Sequence, residues 1–573
     1  MPEPENPKTT PKKIGGKEEI GVEKRLLLAF ALMGVVLFLT QYFYPQPTPQ
    51  KTIEVAKQAT PKQAQAPPPP AASTAPPPAG QVAATAQELQ TIETDVYKVV
   101  FSNHGAVVRS WELKQYRDGL GKPLQLVNPT AAPKTHFPFS VAFENQTPSA
   151  DLNQQLYVVR RTPDGLGLDF EFSNGRVVAR KSFRFLKNSY LSQVSSEITE
   201  NGSAVPHLLA WRGGFGDRHV IGSTASMRTL FFNPGENALT EKDVSEAKNG
   251  PVTDSGSFTF AGIEDTYFAA VFLPKDNRSI RIRTVSDTVA GVENAKEEPH
   301  VGAAVGGDGR NQFALFVGPK DVDLLRRVDP KLEQVVDFGW FSILAKPIFV
   351  AMQWLNTNYL HNYGWSIVVL TIVINFLLLP LKLSGMKSMR KMSSLQPQIQ
   401  AINEKYKNVG IRDPRKAEQN QEVMDLYKKH GVNPLGAGCL PLLLQIPFFF
   451  AFYKVLSVAI EMRGANWLWV TDLSQPETIA IRVLPILMVA TQFILQKMTP
   501  PTPGADPAQQ KMMMFMPLMM GVFFYTAISG LVLYWLTSNV VQLVQQWFIN
   551  RMMPLTPAPV ETKAAPVKRS PRK

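Results

Sequence analysis

One cysteine, Cys439, stands among 573 residues, which excludes any intrachain disulfide. It lies in an apolar run and reads as a small buried hydrophobe rather than a reactive thiol. Seven histidines are scattered along the chain with no pair at metal-ligand spacing. HExxH, CxxC and the phosphate-cradling GxxxxGKS or GxxxxGKT are all missing, so zinc hydrolysis and nucleotide-driven work have no motif to stand on. No cofactor or metal is expected, and the chain does not read as an enzyme. The apolar runs beyond residue 360 hold no mid-run carboxylate, and Glu461 falls at the end of its run. The acidic relay of a proton-coupled transporter is therefore missing too.

What is present divides in two. Mean hydropathy is close to zero, but it averages a polar half, up to about residue 330, with an apolar half after it. The net charge is +13. Basic residues gather beside the apolar runs, as in the cytoplasmic flanks of membrane proteins, and form no stripe interleaved with aromatics. Specific binding to DNA is not expected, although a basic tail near a membrane could touch ribosomal RNA.

Residues 1–25 are polar and end in Lys24-Arg25; 26–44 is apolar enough to span a bilayer. A cleaved signal peptide would need a small-x-small site, and Tyr44-Pro-Gln-Pro47 offers none. The run reads as an uncleaved anchor with its N-terminus inside. Residues 45–89 are rich in Pro, Ala, Gln and Thr, cannot bury a core, and read as an extended tether.

From 90 to 328 short Val-, Tyr-, Phe- and Thr-rich runs alternate with turn signals: Asp164-Gly165, Asn174-Gly175, Asn188-Ser189 and Asn201-Gly202. This pattern predicts an all-β sandwich. Its clearest hairpin is expected around Asn174-Gly175, as a type I′ turn with positive φ at both central residues. Residues 329–361 read as an interfacial elbow, with Leu332, Val335, Val336, Phe338, Trp340 and Phe341 as its apolar face.

The second span is expected at 362–383. The segment 384–433 carries ten Lys/Arg against five Asp/Glu and should be cytoplasmic. Met392, Leu395, Ile399, Ile402 and Tyr406 recur at three and four residues, a helical seam. Asp413-Pro414 then supplies a helix start and Gly431 a stop, so a cytoplasmic helical hairpin is predicted. A third span follows at 434–462, an outer loop at 463–481 with Trp467 and Trp469, a fourth span at 482–498 and an inner loop at 499–511. The run Met512–Ile549 would be about 57 Å long as one helix, nearly twice a bilayer core. Breaking it at Ser529-Gly530 gives spans at 512–528 and 531–549. The basic tail, 550–573, then returns to the cytoplasm. The expected fold is an α-helical polytopic membrane protein of six transmembrane helices, with an all-β sandwich domain inserted outside after the first helix.

Polar residues within spans are costly and usually face a bundle interior or water. Thr371, Asn375 and Lys382 lie at i, i+4 and i+11 on one helix face; Trp535, Asn539, Gln542 and Gln546 form a similar stripe. Gln492 and Gln496 add to it from the fourth span and Gln445 from the third. Such stripes either glue helices together or line a shared polar groove. Lys382 by itself could be a lysine reaching out to the headgroups.

At these residues the sequence resembles the YidC membrane insertase family. The strings that carry the resemblance are Asn362-Tyr-Gly-Trp-Ser366, Leu395-Gln-Pro-Gln-Ile399-Gln, Asn433-Pro-Leu-Gly-Ala-Gly-Cys439-Leu-Pro441 with Gln445-Ile-Pro447, Gln496-Lys-Met-Thr-Pro500 and Ser529-Gly-Leu-Val-Leu-Tyr534-Trp-Leu-Thr-Ser538-Asn539. The anchor, tether and β domain resemble the Gram-negative form, with a periplasmic domain. The resemblance implies an inner-membrane insertase and chaperone with both termini cytoplasmic and no cofactor. Its groove would be formed by Thr371, Asn375, Lys382, Gln445, Gln492, Trp535 and Asn539. Implied partners are nascent integral membrane proteins, the Sec translocon (SecYEG and SecDF), the ribosome and membrane lipid. The family usually places an arginine in the groove five residues before the proline that is Pro380 here; this chain has Asn375 there. A secondary transporter is the alternative, but it would show inverted repeats and coupling carboxylates. An intramembrane protease would need a histidine after Ser529, and no later span has one.

Overall fold

The computed structural model describes residues 80–219, 226–275, 279–290, 297–407, 413–431, 440–499 and 507–552. The expected first span, the tether up to residue 79, Cys439, residues 500–506 of the inner loop and the tail beyond residue 552 lie outside these. Two compact units are formed. One takes the β domain up to Tyr363 together with Phe449–Gln475; the other takes Gly364–Phe448 and the chain from Pro476.

The β domain is built as the alternation predicts. Along Val177–Phe185 every second residue is buried, because successive side chains of a strand leave opposite faces of the sheet. An eleven-stranded, a five-stranded and a four-stranded sheet are present among the described residues. In the largest, Leu191–Glu200 pairs antiparallel with Val177–Phe185 on one side and with Arg310–Pro319 on the other. Aromatic side chains of all three sheets meet in the core. Trp111 lies 6.0 Å from Trp211, which lies 5.9 Å from Phe139, itself 5.2 Å from Phe183. Lys181 is buried among them, yet its Nζ donates to the carbonyls of Gly105 (2.8 Å), Ala106 (3.2 Å) and Phe139 (2.7 Å). All three ammonium donors are thereby used.

Three details differ from the sequence reading. The domain begins earlier than residue 90, since Gln81–Val82 pairs with Ser173 and Asn174; the compositional bias of the tether hides this short edge strand. The turn at Asn174-Gly175 is not type I′. Positive φ occurs at Gly175 (88°) but not at Asn174, and the central pair is Gly175–Arg176. The cause is the Asn174 side chain, whose Oδ1 accepts from the amides of Arg176 (3.0 Å) and Val177 (2.8 Å). The two-residue turn with positive φ at both positions sits instead at Asn201 (50°) and Gly202 (81°), where Glu200 pairs with Ser203. Finally, the elbow is not one outward face. Leu332, Val335, Val336 and Phe338 are buried, while Trp340 is 99% exposed. The following helix, Ser342–Leu355, buries Ala345, Ile348, Phe349 and Met352 and exposes Ile343, Val350 and Trp354.

In the other unit the expected second span is broken. A helix over Tyr363–Leu377 gives way to Leu379–Ser394, with Pro380 in the first turn of the latter, because proline has no N–H to continue the ladder. Backbone bonds from Leu378 to Ile374 and from Lys382 to Leu378 carry the chain across the break. The hairpin then forms as read. Met392, Leu395 and Ile399 pack on Tyr427 of the Arg415–Lys429 helix. Asp413 Oδ1 accepts from the amide of Arg415 (3.0 Å), and Gly431 takes φ 64°. Further helices cover Leu440–Val458, Val483–Met498, Pro507–Phe524 and Ser529–Met552. The run Met512–Ile549 is thus divided, with Tyr525–Ile528 between two helices. No single helix among the described residues is long and apolar enough to cross a membrane. Ser529–Met552 has the length, but Asn539, Gln542, Gln545, Gln546 and Asn550 lower its hydropathy.

Candidate functional site

The Tyr363–Leu377 helix opens the site. Its mean apolarity leaves few polar side chains, and two of them, Thr371 and Asn375, fall one turn apart and are buried. Thr371 Oγ1 donates back to the Ile367 carbonyl (2.7 Å), and Asn375 Nδ2 to the Thr371 carbonyl (2.9 Å). Asn375 thereby holds its side-chain oxygen free for a third partner. That partner is Lys382. Its Nζ donates to Asn375 Oδ1 at 2.8 Å, and the residue is 7% exposed.

The direction of this lysine matters. Side chains of helices lean toward the N-terminus, and Lys382 follows that lean over two turns to reach Asn375.

The Ser529–Met552 helix closes the cluster from the opposite side. Asn375 Nδ2 lies 3.5 Å from Ser538 Oγ, which also accepts from Gln542 Nε2 (3.0 Å). Gln545 Nε2 donates to the Asn375 carbonyl (3.4 Å). Farther along, Arg390 donates to Asn550 Oδ1, which also accepts from Gln546. The result is a polar seam holding amides, hydroxyls and Lys382, with Arg390 farther along. It can hydrogen-bond a polar chain and attract negative charge; it holds no nucleophile–base pair.

Not every expected residue joins it. Asn539 faces the Val483–Met498 helix, with Nδ2 at 3.2 Å from the Met488 carbonyl and 3.3 Å from Thr491 Oγ1. It pins two helices together. Gln546 does the same through the Met498 carbonyl (3.3 Å). Trp535 packs on Phe524, ring centroids 5.0 Å apart. Gln445 and Gln492 are half-buried and are not among the partners of Asn375 or Lys382. Sequence reasoning missed Ser538 and Gln545. Both lie at i, i+7 on the face that carries Gln542, so the helical period that selected the stripe would have reached them had small hydroxyls been counted.

Among the described residues no group of His, Cys, Asp or Glu could hold a metal ion.

Comparison with known proteins agrees with this division of the chain. Residues 354–556 match the family model described as 60Kd inner membrane protein, and residues 89–351 match that of the YidC periplasmic domain. The membrane protein insertase YidC of Geotalea daltonii is 33% identical over 553 residues, covering 93% of this chain and all of that protein. The membrane protein insertase YidC of Ralstonia nicotianae is 35% identical over 534 residues, covering 89% and 92%. A crystal structure of an active YidC insertase with its first transmembrane domain resolved is 18% identical, with TM-score 0.36, covering 82% of this chain and 95% of that one. With a third of its residues shared along nearly its whole length, this chain belongs to the YidC family of membrane protein insertases.

Proposed function

We propose that this chain inserts integral membrane proteins into the bacterial inner membrane. The polar seam of Thr371, Asn375, Lys382, Ser538, Gln542 and Gln545 would receive the polar flank of a client while its apolar segment partitions into lipid. The observation that carries this reading is Lys382, whose ammonium is held in a buried amide cluster. A cation there is costly, and among the described residues no carboxylate pairs with it. A client's acidic flank is the partner such a group awaits. Lys382 would thereby supply the charge that relatives usually carry on an arginine at the position of Asn375. A hydrated polar seam shortens the apolar barrier facing the client's polar segment, and burial of the client's own apolar surface drives the remainder.

The reading includes six spans with both termini in the cytoplasm and the β domain in the periplasm. Nascent membrane proteins are its clients, and lipid, the Sec translocon and the ribosome its neighbours. It needs neither nucleotide nor metal.

Photo-crosslinking tests it. A photoreactive residue at Gln542, half-buried beside Ser538, is expected to capture ribosome-bound nascent membrane proteins. The same probe at Leu120, exposed on the β domain, is expected to capture none. Equal capture at both positions, or none at Gln542, would contradict the seam as the client path.

A further inference from the structure

The loop that follows the third expected span makes a buried ionic contact with the β domain within one compact unit. After the turn Ile460–Met462, Arg463 extends away from its own loop. Its guanidinium donates through Nη2 to the Asp217 carboxylate and to the Arg117 carbonyl. It also lies 5.5 Å from the ring centre of Tyr267 and 5.4 Å from that of Phe268. The side chains of Arg463 and Asp217 are 7% and 1% exposed.

The receptacle is held by bonds within the β domain. Asp217 is oriented by its own amide, which donates to Asp265 Oδ2 (3.0 Å). Asp265 in turn accepts from the amides of Tyr267 (2.8 Å) and Phe268 (2.6 Å), and so fixes the two rings that flank the guanidinium. Gly216, at φ 83°, allows this approach, since a Cβ there would sit 1.8 Å from Asp265 Oδ2. On the other side, the loop is folded on itself: Trp467 and Val470 exchange backbone bonds of 2.8 Å, and Leu473 bonds back to Ala465 (2.9 Å). Its tip presents Leu468 and Trp469 outward, 64% and 40% exposed.

We propose that Arg463 is a positioning residue for insertion: it latches the outer loop to the β domain and so holds the loop's apolar tip at a fixed place on the outer membrane surface. The planar fork matters, because arginine satisfies a carboxylate and a carbonyl while stacking on rings, whereas lysine offers a point charge. Among the other ties of this segment, Lys454 to Asp337 at 3.0 Å is 36% and 56% exposed and contributes little by comparison, while Ser474 hydrogen-bonds Tyr267 and the Asn466 carbonyl accepts from Asn362 Nδ2 (2.9 Å). The positioning role rests on the insertase reading; the latch does not.

Full-length protein in lipid nanodiscs, followed by hydrogen–deuterium exchange, separates the two. Arg463→Ala and Asp217→Asn are each expected to speed amide exchange across 463–475 by roughly tenfold or more, because removing one member of a buried pair strands the other. Amides of the Phe268–Pro274 strand should keep their protection. The double variant should resemble either single, as expected for two groups acting as one. Arg463→Lys should fall between. In reconstituted vesicles, client insertion should slow about two- to threefold in each single variant, no further in the double, and recover partly in Arg463→Lys. Unchanged exchange over 463–475, or additive effects of the two substitutions, would overturn the latch. Faster loop exchange with unaltered insertion would overturn the positioning role while leaving the insertase reading intact.

Discussion

His207 shows how far a single buried side chain can couple this protein to its surroundings. It is 1% exposed in the β domain. Its Nδ1 lies 2.9 Å from the Val205 carbonyl, and its Nε2 lies 2.7 Å from Ser196 Oγ and 3.1 Å from Asn311 Nδ2. The neutral ring satisfies all three, donating from Nδ1 and accepting at Nε2. A second ring proton would face the Asn311 amide donor. Burial pulls the pKa down to about 4 from the ordinary 6.5, with the Val205 carbonyl opposing and Lys181 assisting. The unfolded chain therefore binds the proton first as pH falls, and stability contributed by the neutral ring is lost between pH 6.5 and 4. By pH 5 the loss is about 2 kcal/mol. Urea unfolding of the β domain, followed by tryptophan fluorescence, should show that loss between pH 7.5 and 5, and His207→Gln should lessen the slope while lowering stability at pH 7.5. Equal slopes in the two proteins would assign the acid sensitivity elsewhere. This histidine could not be picked out from sequence, since its partners come from residues 196, 205 and 311. Thr371, Asn375 and Lys382 could be, because they keep helical spacing along one stretch of chain, even across the break between Leu377 and Leu379. Asn539 was misjudged for the complementary reason: spacing fixes a face but not which neighbour the face meets.

Among elements, those with strong local punctuation were legible. The hairpin of 384–431 follows from its seam, from Asp413-Pro414 and from Gly431, and Tyr427 completes the seam from the facing helix. The strands of the β domain follow from alternation, but the turn at Asn174-Gly175 did not obey its dipeptide. A side-chain oxygen bonded to two backbone amides outweighed the preference for paired positive φ. The division of Met512–Ile549 follows from its length and from the basic tail, but the break falls at Tyr525–Ile528, between the helices Pro507–Phe524 and Ser529–Met552, so Ser529-Gly530 opens the second helix rather than separating the two. That division has a topological consequence. Reporter fusions are expected to place residue 470 outside and residues 405, 505 and 565 inside. A reporter at 565 active only outside would contradict the break as a membrane turn.

At the scale of the whole molecule, the two sites fall in different units. The polar seam lies in the unit of Gly364–Phe448 and the chain from Pro476, and the Arg463 contact lies in the unit that holds the β domain. Composition put the change near residue 330, whereas the units divide after Tyr363. It could not show that the loop Phe449–Gln475 would join the β domain, because a single arginine with distant partners leaves no pattern. Central to the account is the claim that Lys382 supplies the seam's charge. Insertion into vesicles by Lys382→Ala, with clients differing only in acidic or neutral N-terminal tails, tests it most directly. Loss of one buried charge–charge attraction of a few kcal/mol should slow the acidic client by at least tenfold and leave the neutral client within about twofold. Adding Asn375→Arg should restore the acidic client, since the charge returns to the same cluster. If both clients slow alike, or if Asn375→Arg restores neither, Lys382 is a structural cation and the seam works without a fixed charge.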